Sequence, residues 1–398
     1  MGLAGDAAIV GIADHPPERR FTGERYTMLE QWAELAALAL ADAGLSSQDV
    51  NGLVCANLRE SEMFVPSTIA EYMGWRVNLA ERVDLGGATP IGMVWRAAAA
   101  IELGLCDVVV CAAPGRPTPS LPPHMPRAWS PFGASSNIMG SPQAEFDIPY
   151  GNLAQNCGYA MIANRYAAEY GYDPRSTAKI AADQRFNATA HPDAIFRHEP
   201  ITIDDVLASK MVADPLHLLE IVMPVAGGSA VVVTSKEMAR RAKHRPAFVT
   251  GFGEHLMHKT PTYSPDLLHT PIGPAADQAF GMAGIKRSDV DVVQLYDCYT
   301  ITVLLSIEDS GFCGKGEGMA FVRDHDLTFR GDFPVNTHGG QLSYGQTGLA
   351  GGFTQVLEGV RQIRGQADAR QVAGCDTAYC SGTGGIMSEQ TALLLQGA

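Results

Sequence analysis

Four glycine-flanked loops contain the residues with which this chain could do chemistry. They carry Tyr296, His338 and Cys380, which place a phenol, an imidazole and a thiol beside backbone that can approach a ligand closely. Three of the loops stand at or beside a predicted helix start, where free N–H groups can hold an oxyanion. For any one loop alone, a tight turn needed for packing is the simpler explanation. The loops span 84–90 (DLGGATP), 295–300 (LYDCYT), 336–352 (NTHGGQLSYGQTGLAGG) and 380–385 (CSGTGG).

The elements that must position these loops repeat along the chain. When the sequence is shifted onto itself by about 240 residues, 9–15 (IVGIADH) lies over 249–255 (VTGFGEH). In both copies an alanine-rich predicted helix ends at a glycine, Gly44 or Gly284, in the position where helices favour a left-handed residue. The two predicted helices span about 29–43 and 274–283, and the strands after them about 52–56 and 292–296.

The second part of each copy also repeats. Gly86-Gly87 and Gly339-Gly340 are each predicted to open a turn into a helix, and an apolar strand follows that helix. This order predicts two stacked α/β units, 1–240 and 241–398, with mostly parallel sheets and a shared helical layer. The predicted helices are 89–103 and 352–364, the strands after them 107–113 and 371–378, and the closing strands 229–234 and 391–396.

The first half carries an insertion of about a hundred residues, at 115–215, which begins with a proline-rich segment. Unbroken connections of this length are usually functional. We expect a lid or substrate-binding region that sets specificity, with helices of its own near 151–170 and 177–188.

Composition excludes several classes of protein. The 398 residues include 29 Lys and Arg against 43 Asp and Glu, a net charge of −14, which argues against nucleic acid as a partner. The eight cysteines form no CxxC pair and there is no HExxH, so neither a disulfide framework nor a metal site is expected. No phosphate-loop or dinucleotide motif indicates a tightly bound cofactor, and no basic leader or apolar run indicates secretion or a membrane span. We expect a cytoplasmic enzyme.

The chain resembles the thiolase superfamily over essentially its whole length. The resemblance rests on AIVGIADH, ADAGLSSQDVNGL, AAAAIELGLCDVVV, QLYDCYTITVLLSIEDSGFCGKGEG, NTHGGQLSYG and EGVRQIRG. It is similar above all to the sterol-carrier-protein-x thiolase and thiolase-like lipid-transfer branch, which includes the aldolases of bacterial steroid side-chain degradation. The resemblance implies a thiolase-like duplicated five-layer αβαβα sandwich that is usually dimeric.

The chain departs from the thiolase pattern at two reacting positions. The position of the nucleophilic cysteine falls on Gly87, and that of the histidine after the second double glycine falls on Gln346. Only Cys380, in the Cys-Ser-Gly loop, matches the family's reacting residues. Without the first cysteine no acyl-enzyme can form there, so thiolysis by the usual route is not expected.

What remains resembles the aldolase pattern. The N–H groups of Gly87 and Gly382 match the family's oxyanion hole, and Tyr296 matches one of the tyrosines that move the proton of a β-hydroxyacyl-CoA. The second aldolase tyrosine aligns with Gln346, a hydrogen-bond donor that cannot act as a base. Tyr344, two residues earlier, is the nearest tyrosine.

Four residues have open roles at this stage. Cys380, Tyr344 or water would reprotonate the enolate. Asp297 is expected to organise its loop by hydrogen bonds. It is not expected to lower the pKa of Tyr296, because a nearby negative charge would raise that pKa. His338 either faces the pocket or bonds loop backbone.

The resulting hypothesis is retro-aldol cleavage of a β-hydroxyacyl-CoA, with coenzyme A as part of the substrate. A Claisen-type acyl transfer with Cys380 as nucleophile, and a non-catalytic lipid or acyl-CoA-binding subunit, are the alternatives. The resemblance also implies a homodimer in complex with a small OB-fold, zinc-ribbon acyl-CoA-associated protein.

Overall fold

The computed structural model describes residues 5–120, 139–152 and 154–397. The first sheet strands and helices follow the predicted bounds closely, and α1 begins in a capping box between Thr27 and Glu30. The strands are β1 Ala7–Glu18, β2 Gly52–Cys55, β3 Leu79–Arg82, β4 Val108–Pro114, β5 Met211–Ala213, β6 Leu216–His217, β7 Ala226–Ser235, β8 Ala247–Leu256, β9 Val292–Gln294, β10 Thr377–Gly384 and β11 Glu389–Gly397.

Helices cover both faces of the sheet and fill the insertion. None of the described helices is long and apolar enough to cross a membrane. The helices are α1 Met28–Ala43, α2 Val65–Met73, α3 Thr89–Glu102, α4 Pro142–Phe146, α5 Gln155–Tyr170, α6 Pro174–Thr189, α7 Ile203–Ala208, α8 Lys236–Ala239, α9 Ile272–Ala283, α10 Thr300–Asp309, α11 Gly318–Asp324, α12 Gly340–Ser343 and α13 Gly351–Arg364.

Within the described part of the chain, the main sheet has nine strands in the order β3-β2-β4-β7-β1-β8-β11-β10-β9. Read from the centre outward, β1-β7-β4-β2 corresponds to β8-β11-β10-β9, so the sheet repeats the duplication. Two residue pairs between β1 and β8 join its halves. This symmetry supports the division near residue 240 that we propose from the sequence.

The expectation of mostly parallel sheets is wrong. Strand β2 is parallel to β3 and β4, and β9 is parallel to β10, but the remaining pairs of the main sheet are antiparallel. A parallel pair needs a crossover of a dozen or more residues. Strand β11 instead follows β10 after only a short turn, which forces the antiparallel arrangement.

Glycines at equivalent places let helices pack against each half. A Cβ on Gly11 would lie 2.2 Å from the carbonyl oxygen of Ala39, and one on Gly251 would lie 2.1 Å from that of Ala279. Both helices end as predicted, with Gly44 and Gly284 in the left-handed region at φ 74° and 70°. The repeated pattern therefore encodes the same strand-to-helix contact twice.

Three apolar clusters build the layers. Helices α3 and α13 form the inner layer, packed on residues from both sheet halves. Helices α1 and α2 cover the outer face of the first half, and α9 and α10 cover that of the second. The layers follow in the order helix, first half of the sheet, helix, second half of the sheet, helix. This is the expected thiolase-like αβαβα arrangement.

Two segments near the loops differ from the sequence prediction. The strand expected at 371–378 begins only at Thr377, because Gly374 adopts φ 71° and the Gln371 side chain bonds to Gln362. As a result most of 380–385, expected to be a loop, is part of β10. Gly339-Gly340 opens the four-residue helix α12, and α13 begins instead after the turn Gly348–Ala350.

The insertion forms the two long helices that its sequence predicts, α5 and α6. It also supplies the small antiparallel pair of β5 and β6. Part of the proline-rich opening, at 121–131, lies outside the described residues.

Candidate active site

A cavity of about 280 Å³ lies where the four glycine-flanked loops meet. Each loop contributes to its wall, and α5 from the insertion closes one side. The structure thus brings together the four loops that the sequence singled out. The lining residues are Gly86, Gly87, Gln155, Tyr159, Tyr296, Cys298, Gln346, Gly348, Leu349, Thr383 and Gly385.

Tyr296 and Gly87 face each other in this cavity. A Cβ on Gly87 would lie 2.3 Å from the Tyr296 hydroxyl oxygen and 2.4 Å from the Thr383 carbonyl oxygen. A cysteine at residue 87 would collide with the tyrosine ring. The phenol hydroxyl therefore occupies the space into which a nucleophile at position 87 would project.

Burial keeps the Tyr296 hydroxyl protonated at neutral pH. The side chain is 5% exposed, and burial raises the pKa of its phenol well above the usual value. Cys298 and the negative charge of Asp297 raise this pKa further, whereas the amides of Gln346 and Gln341 lower it. The two amides thus favour the phenolate that the other neighbours oppose.

Asp297 holds the loop and does not line the cavity. Its carboxylate accepts hydrogen bonds from the N–H groups of Gln341, at 2.9 Å, and Leu342, at 3.0 Å, and from the Gln355 side chain at 3.0 Å. It thereby fixes the start of α12 beside Tyr296. Burial raises the pKa of this carboxyl to about 7.

Gln346 lines the cavity from a firmly held segment. Its N–H donates to the Met223 carbonyl at 3.2 Å, and its carbonyl accepts from the Val225 N–H at 2.8 Å. The side-chain oxygen is buried and has no hydrogen-bond partner in the described residues. An unpartnered buried polar atom at a cavity wall is a ready contact for a bound ligand.

Cys380 is not in the cavity, contrary to its sequence-based candidacy. Its side chain is fully buried in the inner core with α13, and its thiol donates to the Gln355 carbonyl at 3.6 Å. Burial raises the pKa of this thiol well above its usual value. The pleat of β10 turns alternate residues to opposite faces, and this parity directs Cys380 inward.

Tyr344 and His338 also lie away from the cavity. The Tyr344 hydroxyl donates to Asp14 at 2.7 Å, and Arg361 binds the same carboxylate at 2.9 Å. The His338 ring packs edge-on against Tyr344, and its buried nitrogens have no hydrogen-bond partner among the residues that the structure describes. Burial lowers its pKa to about 4. Both rings belong to a buried ionic cluster behind the site.

Gly382 is displaced from the cavity wall as well. A Cβ there would meet Thr391 Oγ1 at 2.5 Å and Ala88 Cα at 2.9 Å, so the residue packs β10 against the turn before α3. Thr383 and Gly385 line the cavity in its place. Gly87, at the turn that opens α3, is the expected oxyanion donor that remains.

Sequence reasoning missed two residues of the cavity wall in particular. Tyr159 comes from α5 of the insertion, and no spacing relates it to the loops. Cys298 lines the cavity two residues after Tyr296, and burial raises its pKa to about 12. Its place in the LYDCYT loop was the available signal.

Comparison with known proteins identifies relatives of this chain. The thiolase C-terminal domain-like family model matches residues 253–397. A steroid side-chain-cleaving aldolase of Thermomonospora curvata is 32% identical, over 91% of this chain and 91% of its own. The 17-hydroxy-3-oxo-4-pregnene-20-carboxyl-CoA lyase of Mycobacterium tuberculosis is also 32% identical, over 96% of this chain and 97% of its own.

Solved structures show the same relationship. The Ltp2-ChsH2(DUF35) aldolase superposes with a TM-score of 0.86 at 29% identity, covering 99% of this chain and 98% of that one. Human mitochondrial 3-ketoacyl-CoA thiolase, 16% identical, shares the fold with a TM-score of 0.70 over 100% of this chain and 99% of its own. The chain therefore belongs to the thiolase-like family, together with the steroid side-chain-cleaving aldolases.

Proposed function

We propose that this protein is a carbon–carbon lyase that cleaves a β-hydroxyacyl-CoA by a retro-aldol reaction. The products are a ketone or aldehyde and a shortened acyl-CoA, and the acyl chain is a steroid or another bulky side chain. The observation that carries the proposal is the Tyr296 hydroxyl standing where a side chain of residue 87 would project. The site offers a phenol for proton transfer and has no room for the thiolase nucleophile.

In the proposed reaction Tyr296 takes the proton of the β-hydroxyl. The Cα–Cβ bond breaks, its electron pair becomes the thioester enolate, and the β-carbon leaves as a carbonyl. The Gly87 N–H, at the N-terminal side of α3, stabilises the enolate oxygen, and one well-aimed donor contributes about 3 kcal/mol to such a transition state. The Gln346 amide supports the tyrosine and cannot itself remove a proton.

Placement of the cysteines argues against acyl transfer. Cys380, the nucleophile of that alternative, lies in the inner core. Cys298 reaches the cavity, but burial raises its pKa to about 12, so little of the reacting thiolate is present at neutral pH. Neither thiol is suited to form an acyl-enzyme.

We also propose that the enzyme works as a homodimer with a small OB-fold, zinc-ribbon protein that binds acyl-CoA. Support comes from the structural neighbour, the Ltp2-ChsH2(DUF35) aldolase, whose name pairs Ltp2 with a DUF35 component. Co-expression with a DUF35 protein and light scattering of the purified complex test it, and recovery of a monomer without the second chain would contradict it.

Product analysis tests the reaction itself. The protein, alone and co-purified with a DUF35 protein, is incubated with 17-hydroxy-3-oxo-4-pregnene-20-carboxyl-CoA and separately with a β-ketoacyl-CoA. Mass spectrometry should find a ketone and a shortened acyl-CoA from the hydroxy substrate without added CoA. CoA-dependent cleavage of the keto substrate would instead establish a thiolase.

A further inference from the structure

The insertion contributes a second tyrosine to the cavity, Tyr159 of α5. Its neighbour Gly158 lets the helix pack close to the turn after β10, since a Cβ there would lie 2.5 Å from Ile386 Cδ1. The Tyr159 side chain is 1% exposed and lines the cavity together with residues of the four loops. Close packing therefore aims this phenol at the space beside Tyr296.

Neighbouring aromatic groups fix the ring of Tyr159. It stacks on Tyr299 with ring centroids 4.1 Å apart and an interplanar angle of 25°. The Tyr299 hydroxyl in turn donates to Asn156, on the same helix as Tyr159, at 2.6 Å. The ring thus stacks on a residue that is itself bonded to α5, which restrains it at one position in the cavity, as a reacting group requires.

The hydroxyl of Tyr159 is held only weakly. Its acceptor is the Gly385 carbonyl at 3.4 Å, near the outer limit for an O–H···O bond. The Cys298 thiol is a second polar group beside it. Carbonyl and thiol neighbours keep this phenol a donor, in contrast to the amide groups that face Tyr296.

We propose that Tyr159 is the general acid that donates a proton to the α-carbon of the thioester enolate. The inference rests on the proposed lyase function and assigns its second proton transfer. It also gives the insertion a direct part in the chemistry, because α5 brings the acid to the site.

The proton balance uses both tyrosines. The reacting form is the small fraction of enzyme in which Tyr296 has released its proton to solvent and is the phenolate, which the Gln346 and Gln341 amides favour, while Tyr159 is the phenol. The β-hydroxyl proton passes to Tyr296 as the Cα–Cβ bond breaks. Tyr159 then gives its proton to Cα, which completes the shortened acyl-CoA. A proton passing from Tyr296 to Tyr159 restores the starting form, so the net transfer runs from the β-hydroxyl to Cα.

Hydrogen exchange separates the two roles. Propionyl-CoA is the shortened acyl-CoA that retro-aldol cleavage of 17-hydroxy-3-oxo-4-pregnene-20-carboxyl-CoA would release. In D₂O the enzyme should catalyse deuterium incorporation at its Cα, since this exchange is the reverse of the protonation step and needs no ketone. Tyr159→Phe should lower both cleavage and exchange by about 100-fold or more. Tyr296→Phe should lower cleavage about 1,000-fold but slow exchange much less, because it removes the base for the β-hydroxyl and the relay partner of Tyr159 while Tyr159 itself stays in place.

Phenylalanine keeps the ring that stacks on Tyr299, and thermal unfolding checks that the fold is retained. Tyr166→Phe is the matched control: it lies on the same helix, is buried and bonds Glu308 away from the cavity, so cleavage and exchange should stay at the wild-type level. If Tyr159→Phe is unstable, 3,5-difluorotyrosine at residue 159 should shift the pH profile of exchange to lower pH. An unshifted profile would overturn the assignment.

The outcomes distinguish the two proposals. If the wild-type protein cleaves the hydroxyacyl-CoA and the Tyr159→Phe variant cleaves and exchanges at the wild-type rate, the role of Tyr159 is overturned. The lyase function would still stand. A wild-type protein, with its DUF35 partner, that neither cleaves the hydroxyacyl-CoA nor exchanges propionyl-CoA would overturn both.

Discussion

Tyr296 and Tyr344 stand in two buried polar clusters of opposite character. Tyr344 donates to a carboxylate that Arg361 also binds, and the nearby pair of Glu358 and Arg370 is joined by two hydrogen bonds of 2.9 Å. Tyr296 instead faces a cavity, with amides as its polar neighbours. Burial is almost complete in both places, so it does not distinguish a structural tyrosine from a reacting one.

Contact with the cavity makes the distinction. The ionic cluster also holds atoms with no partner among the described residues, the His338 ring nitrogens and Arg370 Nη1, but these residues do not line the cavity. Around Tyr296 the amide atoms of Gln341 and the side-chain oxygen of Gln346 have no partners among the described residues. Groups left unsatisfied at a cavity wall carry a cost that bound substrate can relieve, and this is why such positions mark active sites.

The largest expected effect comes from Tyr296→Phe. Without the hydroxyl no group accepts the β-hydroxyl proton, so kcat for cleavage should fall about 1,000-fold, which corresponds to about 4 kcal/mol of transition-state stabilisation. Steady-state kinetics with the hydroxyacyl-CoA substrate measure it. Full cleavage activity in this variant would show that Tyr296 is not the reacting tyrosine.

Gly87→Ala tests the space in front of that hydroxyl. The added methyl would lie 2.3 Å from the Tyr296 hydroxyl oxygen, and Gly87 does not adopt a positive φ, so crowding alone is changed. A displaced tyrosine should lower kcat about 100-fold. Gly281→Ala, where no atom of the described residues lies within 4 Å of the new methyl, is the control and should keep wild-type kinetics.

Local sequence signals explain what could be predicted. Helix stops at Gly44 and Gly284 and the glycine-flanked loops depend on backbone conformation, which a few neighbouring residues determine. The duplication then places the loops together, because equivalent strands end at equivalent places. Both features were readable without any knowledge of side-chain packing.

Side-chain direction was not readable in the same way. Cys380 faces the inner core because the register of β10 is set by its pairing with β9 and β11, which the sequence alone does not reveal. Tyr344 turns to Asp14, 330 residues earlier in the chain. Tyr159 reaches the cavity through packing of the insertion, so none of these contacts leaves a local spacing pattern.

Carboxyl groups of the two clusters should respond to pH in opposite directions. Burial raises the pKa of Asp297 to about 7, so the folded state binds its proton more tightly than the unfolded state does, and this group makes stability fall as pH rises from about 4 to 7. Burial alone would raise the pKa of Glu358, but Arg370 lowers it to about 2. The contribution of Glu358 to the free energy of unfolding is therefore present above pH 4.5 and is lost as pH falls toward 2.

Urea unfolding at several pH values measures both contributions. Asp297→Asn should remove the decline in stability between pH 4 and 7, and Glu358→Gln should remove the loss below pH 4.5. The test is the slope of the free energy of unfolding against pH, which does not depend on how stable each variant is at any one pH. Unchanged slopes in both variants would show that neither carboxyl is perturbed as the structure indicates.

Tyr344→Phe should have the smallest effect and sharpens the comparison most directly. Asp14 loses one donor but keeps Arg361, so the free energy of unfolding should fall by about 2 kcal/mol, the usual contribution of a hydrogen bond to a charged group. Cleavage kinetics should stay at the wild-type level, because the hydroxyl does not reach the cavity. The same substitution at Tyr296 removes activity and leaves stability unchanged, so the two variants should show opposite phenotypes. A Tyr344→Phe variant that is fully stable and inactive would mean that the ionic cluster, and not the cavity, holds the reacting tyrosine.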